Sequence, residues 1–340
     1  MNRQQLLQTL FPLGIPSLWC PALTHYGPEG QIDAPRIGAH LRHLAPQVKG
    51  FLIPGSTGDG WQMTDPEMMS LLEIALRHAT ELQLNVLVGI LKPDAGSAIA
   101  AIQNVAKWLK LRTGEADTLK AMMKARVCGF TVCPARGDAL SQSEISAGLS
   151  AILELGLPMA LYQLPQVTKN EMTPETVSDL AARFSNFLYF KDTSGADRTV
   201  GSGKDLFGVF TMRGAEGDYF KWITDAPYFG FLLSTANCFG AELNFIIQSR
   251  TTDPAAAEAL SRRLTTVVNE MFVLVSPLSV GNPFTNINKA MDHFFAHGPG
   301  AEHVPPPRLY GGSQLPVEVI EKTGDILAHH EFLPKKGYLY

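Results

Sequence analysis

Eight short apolar runs recur along the chain, separated by segments in which apolar residues return every three or four positions. The runs lie at 15–23, 50–54, 85–90, 127–133, 158–163, 186–191, 208–214 and 229–234. Their hydrophobicity is continuous rather than alternating, and Gly, Pro and polar residues bound them. That pattern predicts strands buried on both faces. The intervening segments include "DAPRIGAHLRHLA", "DPEMMSLLEIALRHATEL", "SQSEISAGLSAILELG" and "TPETVSDLAARF". They have the period of amphipathic helices. Several open on a capping residue followed by Pro or an acid, as at Thr64-Asp65-Pro66-Glu67 and Thr173-Pro174-Glu175.

Eight strand–helix units over roughly 235 residues predict an α/β fold, a (β/α)8 barrel, in preference to an open doubly wound sheet. Beyond the eighth run the pattern is helical only. The barrel with its short N-terminal lead-in helix is therefore assigned to 1–240. A C-terminal helical extension packed on it takes 241–340. The segment 95–125 is long for one barrel helix, which predicts a break near "LRTGEADT". The stretches "HGPGAEHVPPPRLYGG" and "PKKGYLY" read as loops.

Composition narrows the function. With 340 residues, 45% hydrophobic and 18% charged, the chain has material for a large core. A net charge of −4 with scattered Lys and Arg argues against nucleic-acid binding. No apolar stretch reaches membrane-spanning length, and the N-terminus is too polar for a secretory leader. Cys20, Cys128, Cys133 and Cys238 lack metal-ligand spacing and read as free thiols of a reducing, cytoplasmic compartment. Neither a metal nor a dinucleotide cofactor is expected.

In a barrel the chemistry sits at the C-terminal strand ends. The sixth run, "NFLYFKDTSG", ends in Lys191. Taken alone such a lysine reads as one that snorkels to water. One strand earlier, "PMALYQ" carries Tyr162, which alone reads as a core tyrosine. Together they place a phenol beside an amine. Desolvation favours the neutral amine, the form that attacks a ketone to give an imine, and the phenol can shuttle protons. At the end of the second run, Gly55, Ser56 and Thr57 in "PGSTGDG" form either a plain glycine-rich turn or a nest for a carboxylate or phosphate. The turn lacks the Gly-Lys-Ser/Thr of a nucleotide-binding loop. Arg136 and Arg213 are candidate partners for a second acidic group, or structural ion pairs.

The ordered motifs "GSTGD", "LYQLP", "FKDTSG" and "GFLLSTAN" resemble the class I aldolase superfamily that includes dihydrodipicolinate synthase and N-acetylneuraminate lyase. The likeness runs from about Gly14 to the helix after "GNPF" at 281–284. It implies that Lys191 forms a Schiff base and that Tyr162 is the acid–base group. It also implies that Ser56 and Thr57 bind the substrate carboxylate and that a backbone carbonyl at Leu232 faces the site. Thr193 matches a hydroxyl-bearing position of the neuraminate lyase. Glu216 and Asp218 fall where that enzyme binds sugar hydroxyls, and also read as an acidic helix start.

The chain departs from the true synthase. Pro134 is followed by Ala135 and Arg136 in place of paired tyrosines. Val167 stands where an arginine is expected, Gln163 replaces Asn, and Asp59 replaces Glu. The expected activity is a pyruvate-releasing or pyruvate-condensing aldolase or lyase on a 2-oxo acid such as a 2-keto-3-deoxy sugar acid. A dehydratase using the same lysine is the alternative, and a non-catalytic 2-oxo acid-binding barrel the third reading. No cofactor beyond the covalent imine is implied. The expected partner is a small-molecule 2-oxo acid, and the resemblance implies a homodimer or homotetramer.

Overall fold

Each of the eight apolar runs forms a strand in the computed structural model, which describes residues 1–225 and 228–340. The strands are β1 (Leu18–Pro21), β2 (Gly50–Ile53), β3 (Asn85–Ile90), β4 (Val127–Val132), β5 (Met159–Gln163), β6 (Phe187–Asp192), β7 (Phe210–Arg213) and β8 (Gly230–Leu232). Every neighbouring pair is parallel, and β8 pairs with β1 to close the barrel. This is the TIM barrel that the alternation predicts.

Two apolar layers explain why the runs are continuous. Phe51, Phe130, Phe187, Phe190 and Phe231 belong to the cluster beneath the surrounding helices. Trp19, Leu52, Leu87, Tyr189, Met212 and Leu232 belong to a second cluster. The lead-in helix, Arg3–Leu10, adds Leu6 to that second cluster, and Phe11 meets Trp19 and Tyr189 edge-on at 6.1 Å each. Arg3 donates to the carbonyls of Phe187 and Phe184, tying this helix to the N-terminal end of β6.

The long segment divides as expected, into helices Ala95–Thr113 and Thr118–Lys124. Gly114, with φ 72°, ends the first in the left-handed conformation that glycine adopts without steric cost. After β8, helix Ala236–Ser249 spans residue 240 and packs on β1. Helices Pro254–Val275, Pro283–His297 and Val317–His329 follow. Among the described residues, no helix is long and apolar enough to cross a membrane.

Helix Pro283–His297 is the element that joins the extension to the barrel mouth. Asn282, its N-cap, donates to the Ser56 carbonyl at 3.3 Å, and Thr285 Oγ1 donates to the Thr57 carbonyl at 3.0 Å. Further along, Lys289 donates to the Arg308 carbonyl at 2.7 Å and lies 3.8 Å from the Asp59 carboxylate. Asp292 receives Arg36 Nη2 at 2.6 Å and the Tyr338 hydroxyl at 2.9 Å. Lys289, Asp59 and Asp292 are all buried.

Candidate active site

The β5–β6 register sets Tyr162 opposite Lys191. Residues opposite one another in a ladder project to the same face, so pairing alone delivers the amine to the phenol. Lys191 Nζ lies 4.1 Å from the centroid of the Tyr162 ring. Both side chains are almost wholly buried, with 3% and 2% exposure. Desolvation holds the Lys191 ammonium down to about 7, although the nearby Glu216 carboxylate pulls the other way. Burial pushes the Tyr162 phenol up, while the Ser56 and Thr193 hydroxyls pull it down. Thr193 Oγ1 nevertheless has no full hydrogen-bond partner and remains a buried, unsatisfied group.

The turn after β2 is organised to leave its amides free. Gly58 and Gly60 donate back to the Gly55 carbonyl, and the Ser56 and Thr57 carbonyls are taken by the extension. Among the described residues, no hydrogen bond occupies the Ser56 or Thr57 N–H. Ser56 and Thr57, which line the same cavity as Lys191, thus offer two adjacent amides and two hydroxyls, a donor set suited to a carboxylate. Ser56 Oγ is held by Trp61 Nε1 at 2.9 Å, and Trp61 in turn carries the Arg136 guanidinium 4.1 Å from its ring centroid.

These groups line a cavity of about 340 Å³. Ser56, Thr57, Tyr162, Lys191, Thr193 and Arg136, all singled out in the sequence, meet there. Gly55 and Leu232 do not line it: Gly55 supports the turn, and the Leu232 side chain packs with Trp19 and Tyr189. Glu216 is also outside the lining, and its carboxylate is already filled. It accepts from Ser234 Oγ at 2.7 Å, Thr235 N at 3.1 Å, Thr235 Oγ1 at 2.6 Å and the Tyr219 hydroxyl at 3.1 Å. Asp218 is exposed, and although it is the N-cap of helix Tyr219–Thr224 its carboxylate makes no capping hydrogen bond. Arg213 forms a buried ion pair with Asp197 at 3.1 Å and donates to the Ala215 and Gly217 carbonyls, so the ion-pair reading of that arginine holds.

The structure adds Trp61, Gln166, Ser234, Asn282 and Phe284 to the lining. Gly214 is a further addition, with a specific packing reason. A Cβ built there would sit 2.7 Å from Lys191 Cε and clash with the Thr193 hydroxyl. Gly214→Ala is therefore expected to displace the lysine and cut turnover at least about 10²-fold, the scale of a 1 Å misplacement. Secondary structure by circular dichroism should stay unchanged.

Residues 114–288, more than half of the chain, match the sequence profile of the dihydrodipicolinate synthetase family. The chain belongs to that family. Its members include lyases, and one curated relative is described as one. A 4-hydroxy-tetrahydrodipicolinate synthase of Symbiobacterium thermophilum is 24% identical over 266 residues, covering 76% of this chain and 83% of the relative. An uncharacterised DapA-like lyase of Rhizobium meliloti is 25% identical over 174 residues, covering 51% and 52%.

Solved structures share the fold. A prophage protein of the dihydrodipicolinic acid synthase family from E. coli K12, in complex with pyruvate, superposes with a TM-score of 0.73 at 20% identity, covering 93% of this chain and 98% of that one. A 2-keto-3-deoxygluconate aldolase variant of Sulfolobus solfataricus, in complex with L-2-keto, 3-deoxy-galactonate, gives 0.70 at 13% identity, covering 93% and 96%. Within the family, this chain has Ala135 and Arg136 after β4 and Val167 after β5, the departures from the synthase noted above.

Proposed function

We propose that the protein is a Schiff-base-forming aldolase or lyase acting on a 2-oxo acid, pyruvate being the simplest. The observation that supports this most is the Lys191 amine, buried, with its pKa lowered to about 7 and stacked on Tyr162 beside the free amides of the Ser56–Thr57 turn. An exposed lysine is almost wholly protonated at neutral pH. Desolvation moves this one toward the neutral amine, the form that attacks.

The carboxylate of the 2-oxo acid docks on the Ser56–Thr57 turn and brings its neighbouring carbonyl carbon to the Lys191 amine. Attack gives a carbinolamine, which loses water to leave a protonated imine. The imine is the electron sink, so the C3–C4 bond of a 4-hydroxy-2-oxo acid can break to give the enamine of pyruvate. Tyr162 moves protons to and from the carbinolamine and the C4 oxygen. Thr193 Oγ1, unsatisfied in the free protein, gains a partner in the bound intermediate.

Incubation with pyruvate and borohydride, followed by peptide mass spectrometry, tests the reading. The expected result is a stable adduct on Lys191. No adduct, under conditions that label a known class I aldolase, overturns the reading. Tyr162→Phe is expected to lower kcat about 10²–10⁴-fold, the range for loss of a general acid–base group. The pyruvate adduct should form more slowly in that variant. A rise in KM with kcat unchanged would instead assign the Tyr162 hydroxyl to substrate binding alone.

A further inference from the structure

We infer that Lys289, a second buried amine, is a positioning residue for this site. Through Asp59 it sets the aim of the amide that receives the substrate carboxylate; the inference rests on the imine reading proposed above. Neither Lys289 nor Asp59 lines the active cavity.

The link runs through the peptide planes of the turn. A trans peptide holds its C=O and N–H on opposite sides of one rigid plane. Fixing the Gly55 carbonyl therefore aims the Ser56 N–H, and fixing the Ser56 carbonyl aims the Thr57 N–H. Gly58 and Gly60 N–H hold the first carbonyl at 3.1 and 2.9 Å. The Asp59 N–H holds the second at 3.2 Å, together with Asn282 Nδ2 at 3.3 Å. Whatever fixes Asp59 thus fixes the direction of the Thr57 amide.

Asp59 needs fixing, because its backbone is in a costly conformation. Its φ is 64°, the left-handed region that a residue with a Cβ adopts at a penalty. The carboxylate supplies the compensation, since three groups from two other elements converge on it. The Tyr26 hydroxyl, in the loop after β1, donates to Oδ2 at 3.0 Å. Thr285 Oγ1 lies 3.5 Å from Oδ1, and Lys289 Nζ lies 3.8 Å from Oδ2.

Lys289 is itself held in place. Nζ donates to the Arg308 carbonyl at 2.7 Å and sits 4.4 Å from the centroid of the Tyr26 ring. Desolvation lowers this amine to about 8, with Asp59 foremost among the groups opposing the fall, so the ammonium form prevails at pH 7. Burial pushes the Asp59 carboxyl up, and Lys289 is foremost among the groups that pull it down. Stability alone does not account for such a pair. A buried ion pair gains little over well-packed apolar residues of the same volume. An apolar pair, however, cannot hold a carboxylate beneath a left-handed turn.

The experiment measures initial rates of trapping on Lys191 at fixed cyanoborohydride while the ketone concentration is varied. The two ketones are pyruvate and hydroxyacetone, which lacks the carboxylate. Loss of one well-aimed hydrogen bond to a charged group costs about tenfold or more in binding. In Lys289→Met the half-saturating pyruvate concentration is therefore expected to rise about tenfold. The limiting rate at saturation and the trapping of hydroxyacetone should both stay within about twofold of wild type, because Lys191 itself is undisturbed. The double variant Lys289→Met/Asp59→Asn leaves neither charge buried without its partner. It keeps the Tyr26 and Thr285 donors, so its half-saturation should fall between the single variant and wild type, a coupling that independent sites would not show. Unchanged pyruvate half-saturation in Lys289→Met overturns the inference, and so does an equal loss for both ketones, which would make the lysine a general support of the fold. Should the single variant fail to fold, wild-type pyruvate half-saturation in the double variant overturns it as well. In each of these cases the wild-type adduct on Lys191 leaves the imine reading standing. Absence of that adduct overturns the imine reading and this inference with it.

Discussion

Lys191→Ala is expected to abolish the borohydride-trapped pyruvate adduct and to lower kcat/KM for aldol turnover by about 10⁵-fold or more, the low end of the effective molarity of a held nucleophile. The pH dependence gives a second, independent signature. Only the neutral amine attacks, so kcat/KM in the wild type should fall tenfold per pH unit below about 7 and level off above it. An exposed lysine would put that bend more than three units higher. The same shift acts on stability, with a definite sign. Between about 7 and the ordinary lysine value, the unfolded chain binds a proton that the folded chain does not. Stability therefore rises with pH through that window. Lys191→Met should remove this slope and be the more stable protein at pH 7, by urea denaturation. A bend near 10 in the rate profile would mean that the amine reaches water and that the desolvation argument is wrong.

Barrel and lysine were both legible in the sequence for one physical reason. A parallel strand buried on both faces has no polar period, so a charged residue at its end stands out against an apolar background. "NFLYFK" shows this directly, and "PMALYQ" places Tyr162 by the same logic, one strand away in register. The break in 95–125 was legible because Gly114 ends a helix in a way few other residues can. The far wall of the cavity was not. Phe284 and Asn282 come some ninety residues after Lys191 and reach the site only because a helix of the extension docks its first turn on the Ser56–Thr57 carbonyls. The one local signal was Asn282-Pro283, a cap followed by a proline, which says where a helix begins and nothing about what it touches. Glu216 shows the opposite failure. Its place in the chain was right for a ligand-binding acid, but Tyr219, in the short helix before β8, and Ser234 and Thr235, just after β8, supply enough donors to saturate it.

The largest stability effect is expected from Asp292, a residue that no motif marks. It lies on one face of helix Pro283–His297 with Arg36 Nη2 at 2.6 Å, His40 Nε2 at 3.4 Å and the Tyr338 hydroxyl at 2.9 Å, all from elements distant in sequence. Burial alone would raise its pKa, but Arg36, His40 and His25 more than reverse this and hold the carboxyl well below the usual aspartate range. Asp292→Ala leaves the Arg36 guanidinium, itself largely covered, without its anion. Breaking a buried pair by removing one partner costs about 3–5 kcal/mol, to be read from urea denaturation at pH 7. A depressed folded pKa means that the unfolded chain takes up the proton first as pH falls. The stability it contributes is held above the ordinary aspartate value, about 3.9, and lost as pH drops through the lower folded value. The gap between wild type and variant should therefore narrow in acid. A difference under about 1 kcal/mol at pH 7 would place Arg36 in effective contact with water, as for surface pairs. The site gives the argument a further check. The helix is also anchored at its first turn by Asn282 and Thr285. If that anchor holds on its own, the folded fraction of Asp292→Ala will still trap pyruvate on Lys191 while melting earlier. If trapping is lost in folded protein, the carboxylate turn depends on the buried network, and the extension is part of the active site's architecture.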